Sequence, residues 1–210
     1  MAGIGEAKSL KELHLTSALL TGTIPDEVFS LSSLENLFLS NNGFTGPISS
    51  EFGQLKQLKN LYLLGNKLDG SIPPELGYLA RLEHLSLGKN KLTGSIPRQI
   101  TSLPLLEFLS LENESGSALG SGLSGPLPAL DGFPRVSELY LQHNAFTGTV
   151  PDNFLQGVMI RTQRLLSIWD SIILMAQSLR NFPTSTTSTC CLQVTKSQAF
   201  RRNFATILVG

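Results

Sequence analysis

Arg81 to Pro97 reads RLEHLSLGKNKLTGSIP, and the rest of the chain is organised around copies of it. Leucines stand at Leu82, Leu85 and Leu87, an asparagine at Asn90, then Leu92, Gly94, Ile96 and Pro97. Alone, the stretch could be a strand followed by a turn. Its phase gives it meaning, because Leu13, Leu37, Leu61 and Leu85 are each 24 residues apart. A fixed period of about 20 to 50 residues is the signature of a solenoid.

Six copies can be aligned. The first, Leu10 to Pro25, carries Ala18 where later copies carry asparagine. The second, Leu34 to Ser49, has Asn42, and Ser49 in place of proline. The third, Leu58 to Pro73, has Asn66, and the fourth is the stretch quoted above. The fifth begins at Leu106 and reaches Leu123, Gly125, Leu127 and Pro128 only after an insertion rich in Ser and Gly, within 114–122. The sixth, Val136 to Pro151, has Asn144. Short connectors such as 74–80 and 98–104 join them.

Each slot has a physical reason. L-x-x-L-x-L alternates with period two, so it reads as a short strand with leucines on one face. Stacking the copies sets these strands side by side in a parallel sheet, and the leucines become continuous ladders. No single copy can bury its own leucines, so neighbours must stack. The asparagine falls where the chain leaves the strand, where its amide can bond turn backbone. Glycine tolerates unusual dihedrals on the return path, and proline ends that segment.

Composition narrows the function classes. The chain has 210 residues, with 16 basic and 16 acidic side chains and a formal net charge of zero. That balance leaves no electrostatic footprint for nucleic acid or an anionic membrane. Cys190 and Cys191 are adjacent, so neither a disulfide framework nor metal spacing is present. The start, MAGIGEAKSL, lacks the basic and apolar regions of a secretory signal. No apolar run is long enough to span a membrane.

Catalytic patterns are absent from the sequence. There is no V-A-I-K lysine, H-R-D or D-F-G of a kinase, no G-x-S-x-G elbow and no H-E-x-x-H. His14, His84 and His143 fall in different copies and columns, which argues against a shared metal ion and for surface positions. Gly120, Gly122 and Gly125 match G-x-G-x-x-G, but Pro126 follows where a dinucleotide fold needs a helix, so the match reads as a bulge. Asn113 opens a glycosylation sequon that matters only in a secreted protein. The expectation is a chain that is not an enzyme and has no cofactor or metal.

The pattern stops after Gln156. Residues 158–182 read as an amphipathic helix, with Leu165, Ile168, Trp169, Ile172, Met175, Ala176 and Leu179 on one face. It is either a cap over the last copy or unrelated tail. PTSTTST, Pro183 to Thr189, opens a polar linker, and 183–210 shows no repeat. The expected organisation is a lead-in over 1–9, a repeat domain over 10–157, the helix and the tail. Nine residues before the first copy are hardly enough to cap it, so a fragment of a longer repeat protein is one reading.

These residues closely resemble the leucine-rich repeat family over about Leu10 to Pro151. The L-x-G-x-I-P segment and 24-residue period are similar to the plant-type repeats of receptor-like kinase and receptor-like protein ectodomains. The resemblance implies a leucine-rich repeat solenoid: a curved right-handed coil, concave on its parallel sheet, with short 3-10 or irregular segments on the convex side. It also implies a protein or peptide ligand on the concave face. A full-length relative would sit at the cell surface or outside the cell; a chain complete as it stands would be cytoplasmic. A signal peptide, cysteine-paired caps and a kinase domain are the features of plant receptors this sequence does not show.

In that fold, residues between ladder leucines point outward in columns. One column runs His14, Phe38, Tyr62, Ser86, Ser110, Tyr140. The second runs Glu12, Asn36, Asn60, His84, Phe108, Glu138, and the third Thr16, Ser40, Leu64, Gly88, Glu112, Gln142. The candidate binding residues are His14, Phe38, Tyr62, His84, Phe108, Tyr140 and Gln142, with the aromatics as anchors because such rings are favoured at interfaces. The competing reading makes them ordinary sheet-covering residues. Two functions follow: a non-catalytic binding module, or a fragment of a receptor's ligand-sensing ectodomain.

Overall fold

The computed structural model describes residues 3–114, 121–127 and 135–147. The helix expected over 158–182, the linker and the tail lie outside them, as does most of the insertion in the fifth repeat. Each repeat contributes two short strands. The first gives β1 (Glu12–His14) and β2 (Thr21–Gly22), and the second β3 (Asn36–Phe38) and β4 (Gly43–Pro47). The third gives β5 (Asn60–Tyr62) and β6 (Lys67–Ser71), and the fourth β7 (His84–Ser86) and β8 (Lys91–Thr93). The fifth gives β9 (Phe108–Ser110) and β10 (Ser124–Pro126), and the sixth β11 (Glu138–Tyr140) and β12 (Ala145–Thr147).

The strands sort into a solenoid. β1, β3, β5, β7, β9 and β11 form one six-stranded parallel sheet, each pairing with the next repeat in register. Leu37 sits opposite Leu13 and Leu61 on either side, and Leu85 opposite Leu61 and Leu109. A second row on the return path joins β2, β4, β6 and β8, with β10 and β12 paired beyond them. The turns Asp26–Ser30, Ser50–Gln54 and Pro74–Tyr78 are 3-10, and Arg98–Thr101 is one turn of α-helix. They form the convex side, opposite the six-stranded sheet.

One core runs the length of the coil. Leu37, Leu61, Leu85, Leu109 and Leu139 are all buried, as are the ladders through Leu39, Leu63, Leu87, Leu111 and Leu141 and through Leu34, Leu58, Leu82, Leu106 and Val136. Phe29 meets Phe52 edge-on at 4.9 Å beneath the convex turns. In the first repeat Leu10, Leu13, Leu15 and Leu20 are only partly buried, because no described repeat stacks on their outer side.

The asparagine ladder is internal and satisfied. Asn66 Nδ2 donates to the carbonyls of Leu39 (3.1 Å) and Leu63 (2.9 Å), while its Oδ1 accepts from Phe44 N–H (3.1 Å). Asn90 repeats this one turn on, with Leu63 O, Leu87 O and Leu68 N–H. Each amide therefore ties its own repeat to the preceding one. The residue before it is left-handed: Asn41 (φ 56°), Gly65 (φ 69°), Lys89 (φ 51°) and His143 (φ 62°). That turn swings the asparagine inward. In the fifth repeat the slot itself holds Glu114, and Asn113, one place early, is buried with Nδ2 3.4 Å from Ser121 Oγ. Ser49, which stands in the proline slot, caps its 3-10 turn by accepting from Glu51 N–H (3.2 Å).

Candidate ligand-binding face

The three outward columns of the six-stranded sheet do not behave alike. In the first, His14 stacks on Phe38 at 4.3 Å between ring centroids, and Phe38 on Tyr62 at 5.1 Å. The next strands carry Ser86 and Ser110, which are buried, each 2% exposed, although they belong to an outward column. Serine is too short to rise between its neighbours. Across this dip Tyr62 reaches Phe108 of the second column, ring to ring at 6.3 Å. His84 meets Tyr62 and Phe108 edge-on at 6.2 and 5.8 Å, and Phe108 meets Tyr140 at 5.7 Å.

Six of the seven candidate residues thus join into one ribbon of rings crossing all six strands. Phe38, Tyr62, His84, Phe108 and Tyr140 are half-buried and His14 is exposed, so each keeps an accessible edge or face. Gln142 stands apart in the third column, half-buried on the strand-exit side. The ribbon is apolar over most of its length, with two polar handles. Tyr62 Oη lies 3.1 Å from His84 Nδ1, and His14 Nε2 lies 3.3 Å from Glu12 Oε2. Burial, then the negative charge of Glu138, raises the Tyr62 phenol above its ordinary pKa. The phenol therefore stays a proton donor at neutral pH.

A polar rail runs beside the ribbon. Asn36 Nδ2 donates to Glu12 Oε1 (3.0 Å), and Asn60 Nδ2 donates to Asn36 Oδ1. The rail ends at Asn60 Oδ1, which is buried and has no hydrogen-bond partner among the described residues. One position before the rail, charges alternate. Glu35 lies between Lys11 (3.0 Å) and Lys59 (2.8 Å). Hydrogen bonding to Lys59, then to Lys11, pulls the Glu35 carboxyl down to a pKa of about 2 and raises the Lys59 amine. In the third column Glu112 folds back over Gly88, its Oε2 accepting from Ser110 Oγ at 2.7 Å.

Among the described residues no group of three or more His, Cys, Asp or Glu side chains could hold a metal ion. No helix among them is long and apolar enough to cross a membrane. Period and phase define the outward columns, but within them Ser40, Ser86, Gly88 and Ser110 are buried. The exchange of columns at Tyr62 and Phe108 depends on ring lengths and on the small Ser86, and no spacing rule reports it. Sequence reasoning also passed over Lys67, Lys89 and Lys91, which line a groove beside the strand exits. Their one sequence signal is that Lys67 and Lys91 share a slot in neighbouring repeats.

Leucine rich repeat family models match residues 8–68, 81–103 and 135–156, together about half of the chain. No curated protein matches it. Among solved structures, a TDR receptor is 37% identical, covering 73% of this chain and 26% of its own, with a TM-score of 0.66. The Arabidopsis receptor kinase HAESA, solved with the peptide hormone IDA and a co-receptor, is also 37% identical, covering 73% and 25%, with a TM-score of 0.66. A plant ice-binding protein is 30% identical, covering 72% and 46%, with a TM-score of 0.61. The chain spans about a quarter of the length of the two receptor structures. By its repeats, its stacked parallel sheets and these likenesses, the chain belongs to the leucine-rich repeat family, with repeats of the plant type.

Proposed function

We infer that this chain binds a protein or peptide ligand, without catalysis, on the concave face of its solenoid. The continuous ring ribbon from His14 to Tyr140 carries the reading. Half-buried rings are already ordered by one another, so little side-chain freedom is lost when a ligand covers them. Aromatic anchors in such positions dominate interface energetics. The polar rail beside them carries the exposed Glu12 carboxylate at one end, an acceptor that would fix a ligand's register.

One of the structural neighbours is a plant ice-binding protein. On the second sheet of this chain the exposed Thr21, Thr45 and Thr93 are interrupted by Asp69 and flanked by Lys67 and Lys91. The pairing sets Thr45 opposite Lys67 and Asp69 opposite Lys91, and full charges among the hydroxyls favour the protein-ligand reading.

Affinity selection of a displayed peptide library on residues 1–157, followed by calorimetry on the recovered peptides, tests the assignment. Tyr62→Ala combined with Tyr140→Ala is expected to weaken binding by roughly tenfold or more, each buried aromatic anchor being worth about 1–2 kcal/mol. The far-ultraviolet spectrum should not change. Unchanged affinity in the double variant would overturn the site.

A second reading, that the chain is part of a receptor's ligand-sensing ectodomain at the cell surface, is supported by its likeness to receptor structures. Surface biotinylation of the epitope-tagged protein in plant cells tests it. Labelling supports the reading, and exclusion of the intact protein from the reagent refutes it. Asn113 is a poor reporter for this question, because it is buried.

A further inference from the structure

Four of the described lysines have partners. Lys8 Nζ donates to Ser30 O at 3.2 Å, Lys56 lies over the Tyr78 ring at 5.0 Å, and Lys11 and Lys59 hold Glu35. The remaining three, Lys67, Lys89 and Lys91, are exposed, and their side-chain amines make no ion pair or hydrogen bond among the described residues. All three line a single groove of about 950 Å³ beside the strand exits of the middle repeats. Its walls otherwise mix glycines with polar side chains, Asn41, Thr93 and Ser124 among them. Asp69 sits opposite Lys91 in the pairing of β6 and β8 but does not line the groove or approach a lysine within ion-pair distance. Glu114, at the far end, is the one acidic residue in the lining.

We propose that this groove is a second contact surface, which takes an acidic, extended segment of a protein partner through Lys67, Lys89 and Lys91. The proposal takes the class of partner from the protein-binding reading above but uses none of the concave-face residues. Lys67 and Lys91 occupy the same sequence slot in adjacent repeats, but the pairing sets Asp69 opposite Lys91. One strand spacing across and two residues along therefore separate the two lysine backbones by about 8 Å. Carboxylates two residues apart on an extended chain are about 6.6–6.8 Å apart, within reach of flexible amines on such a base. Asn41, Thr93 and Ser124 can pair with the main chain of that segment. The chain's zero net charge makes the clustering a local feature, and complementarity of this kind steers association as well as holding it.

The test uses the full chain and a fluorescein-labelled octaglutamate peptide, read by fluorescence anisotropy at low ionic strength. Lys67→Gln, Lys89→Gln and Lys91→Gln together are expected to weaken binding about tenfold, the sum of three exposed charge pairs. Raising salt should weaken wild-type binding in the same direction. Lys11→Gln with Lys56→Gln should leave it unchanged, and an octaglutamine probe should not bind. Equal binding by wild type and the triple variant overturns the proposal. So does binding of a labelled oligoglucuronate in place of the peptide, which would mark an acidic-glycan site. Octaglutamate binding should survive Tyr62→Ala with Tyr140→Ala, so failure of the concave-face reading and failure of this one are separable.

Discussion

Tyr62 and Phe108 touch ring to ring at 6.3 Å across a strand whose only side chain in the Tyr62 column is Ser86. The small residue lets the ribbon change columns. Ser86→Phe places a ring where 2% of the serine is exposed, and it must displace Tyr62 or Phe108. Overpacking of this kind costs about 1–3 kcal/mol. A lower urea midpoint, together with loss of the peptides selected on the wild-type face, is the expected outcome. A variant that keeps both would show that the ribbon's continuity is not needed.

Asn66 tests the internal ladder. Asn66→Ala strands Phe44 N–H away from water, while the carbonyls of Leu39 and Leu63 lose one donor each and keep Asn42 and Asn90. With about 1–3 kcal/mol for the one buried donor left unpaired, a loss of about 1–3 kcal/mol is expected. Asn66→Asp keeps the acceptor but turns a carboxylate oxygen toward two carbonyls. It should be at least as damaging at neutral pH and partly recover in acid, where the protonated oxygen can donate. Chemical denaturation of both variants at two pH values decides it.

Glu35 provides a pH signature. Its carboxyl falls from the ordinary 4.5 to about 2 in the folded chain, through Lys59 first and Lys11 second. A depressed folded pKa contributes stability that is whole above the unfolded value and fades as pH falls toward the folded one. The stability gap between wild type and Glu35→Gln should therefore be constant above about pH 4.5 and close on acidification toward pH 2. Added salt should narrow the gap as well, since the pair is near the surface. A gap independent of both would remove the Lys11–Glu35–Lys59 ladder from the stabilising interactions.

Gly77 marks a close approach of adjacent convex turns. A Cβ at that position would lie 2.8 Å from both the carbonyl carbon and the oxygen of Gln99. Backbone cannot swing aside as a side-chain tip can, so Gly77→Ala must separate the third and fourth turns. A loss of about 1–3 kcal/mol is expected. Gly88→Ala is the control, because it meets only the end of the Glu112 side chain and should cost less. Thermal unfolding of the pair checks the order, and equal midpoints would refute it.

The period of 24 fixed the repeat boundaries, the parallel pairing and the buried ladders, because a strand one residue out of phase would expose leucines along its whole length. It also placed the asparagines, since their slot recurs in register. The outward columns were legible for the same reason: alternation in a strand leaves a side chain one of two faces. Which outward side chains meet was not legible. Contacts across the sheet depend on side-chain length, and the dip at Ser86 and Ser110 redirects the ribbon to Phe108. Nor does sequence show that Lys67, Lys89 and Lys91 stand around one groove while the other described lysines have partners. RLEHLSLGKNKLTGSIP by itself determined the coil, through local periodicity repeated. Only the tertiary structure decided the ring ribbon and the groove, because both are made between repeats, by residues that lie far apart along the chain and become neighbours when the coil closes.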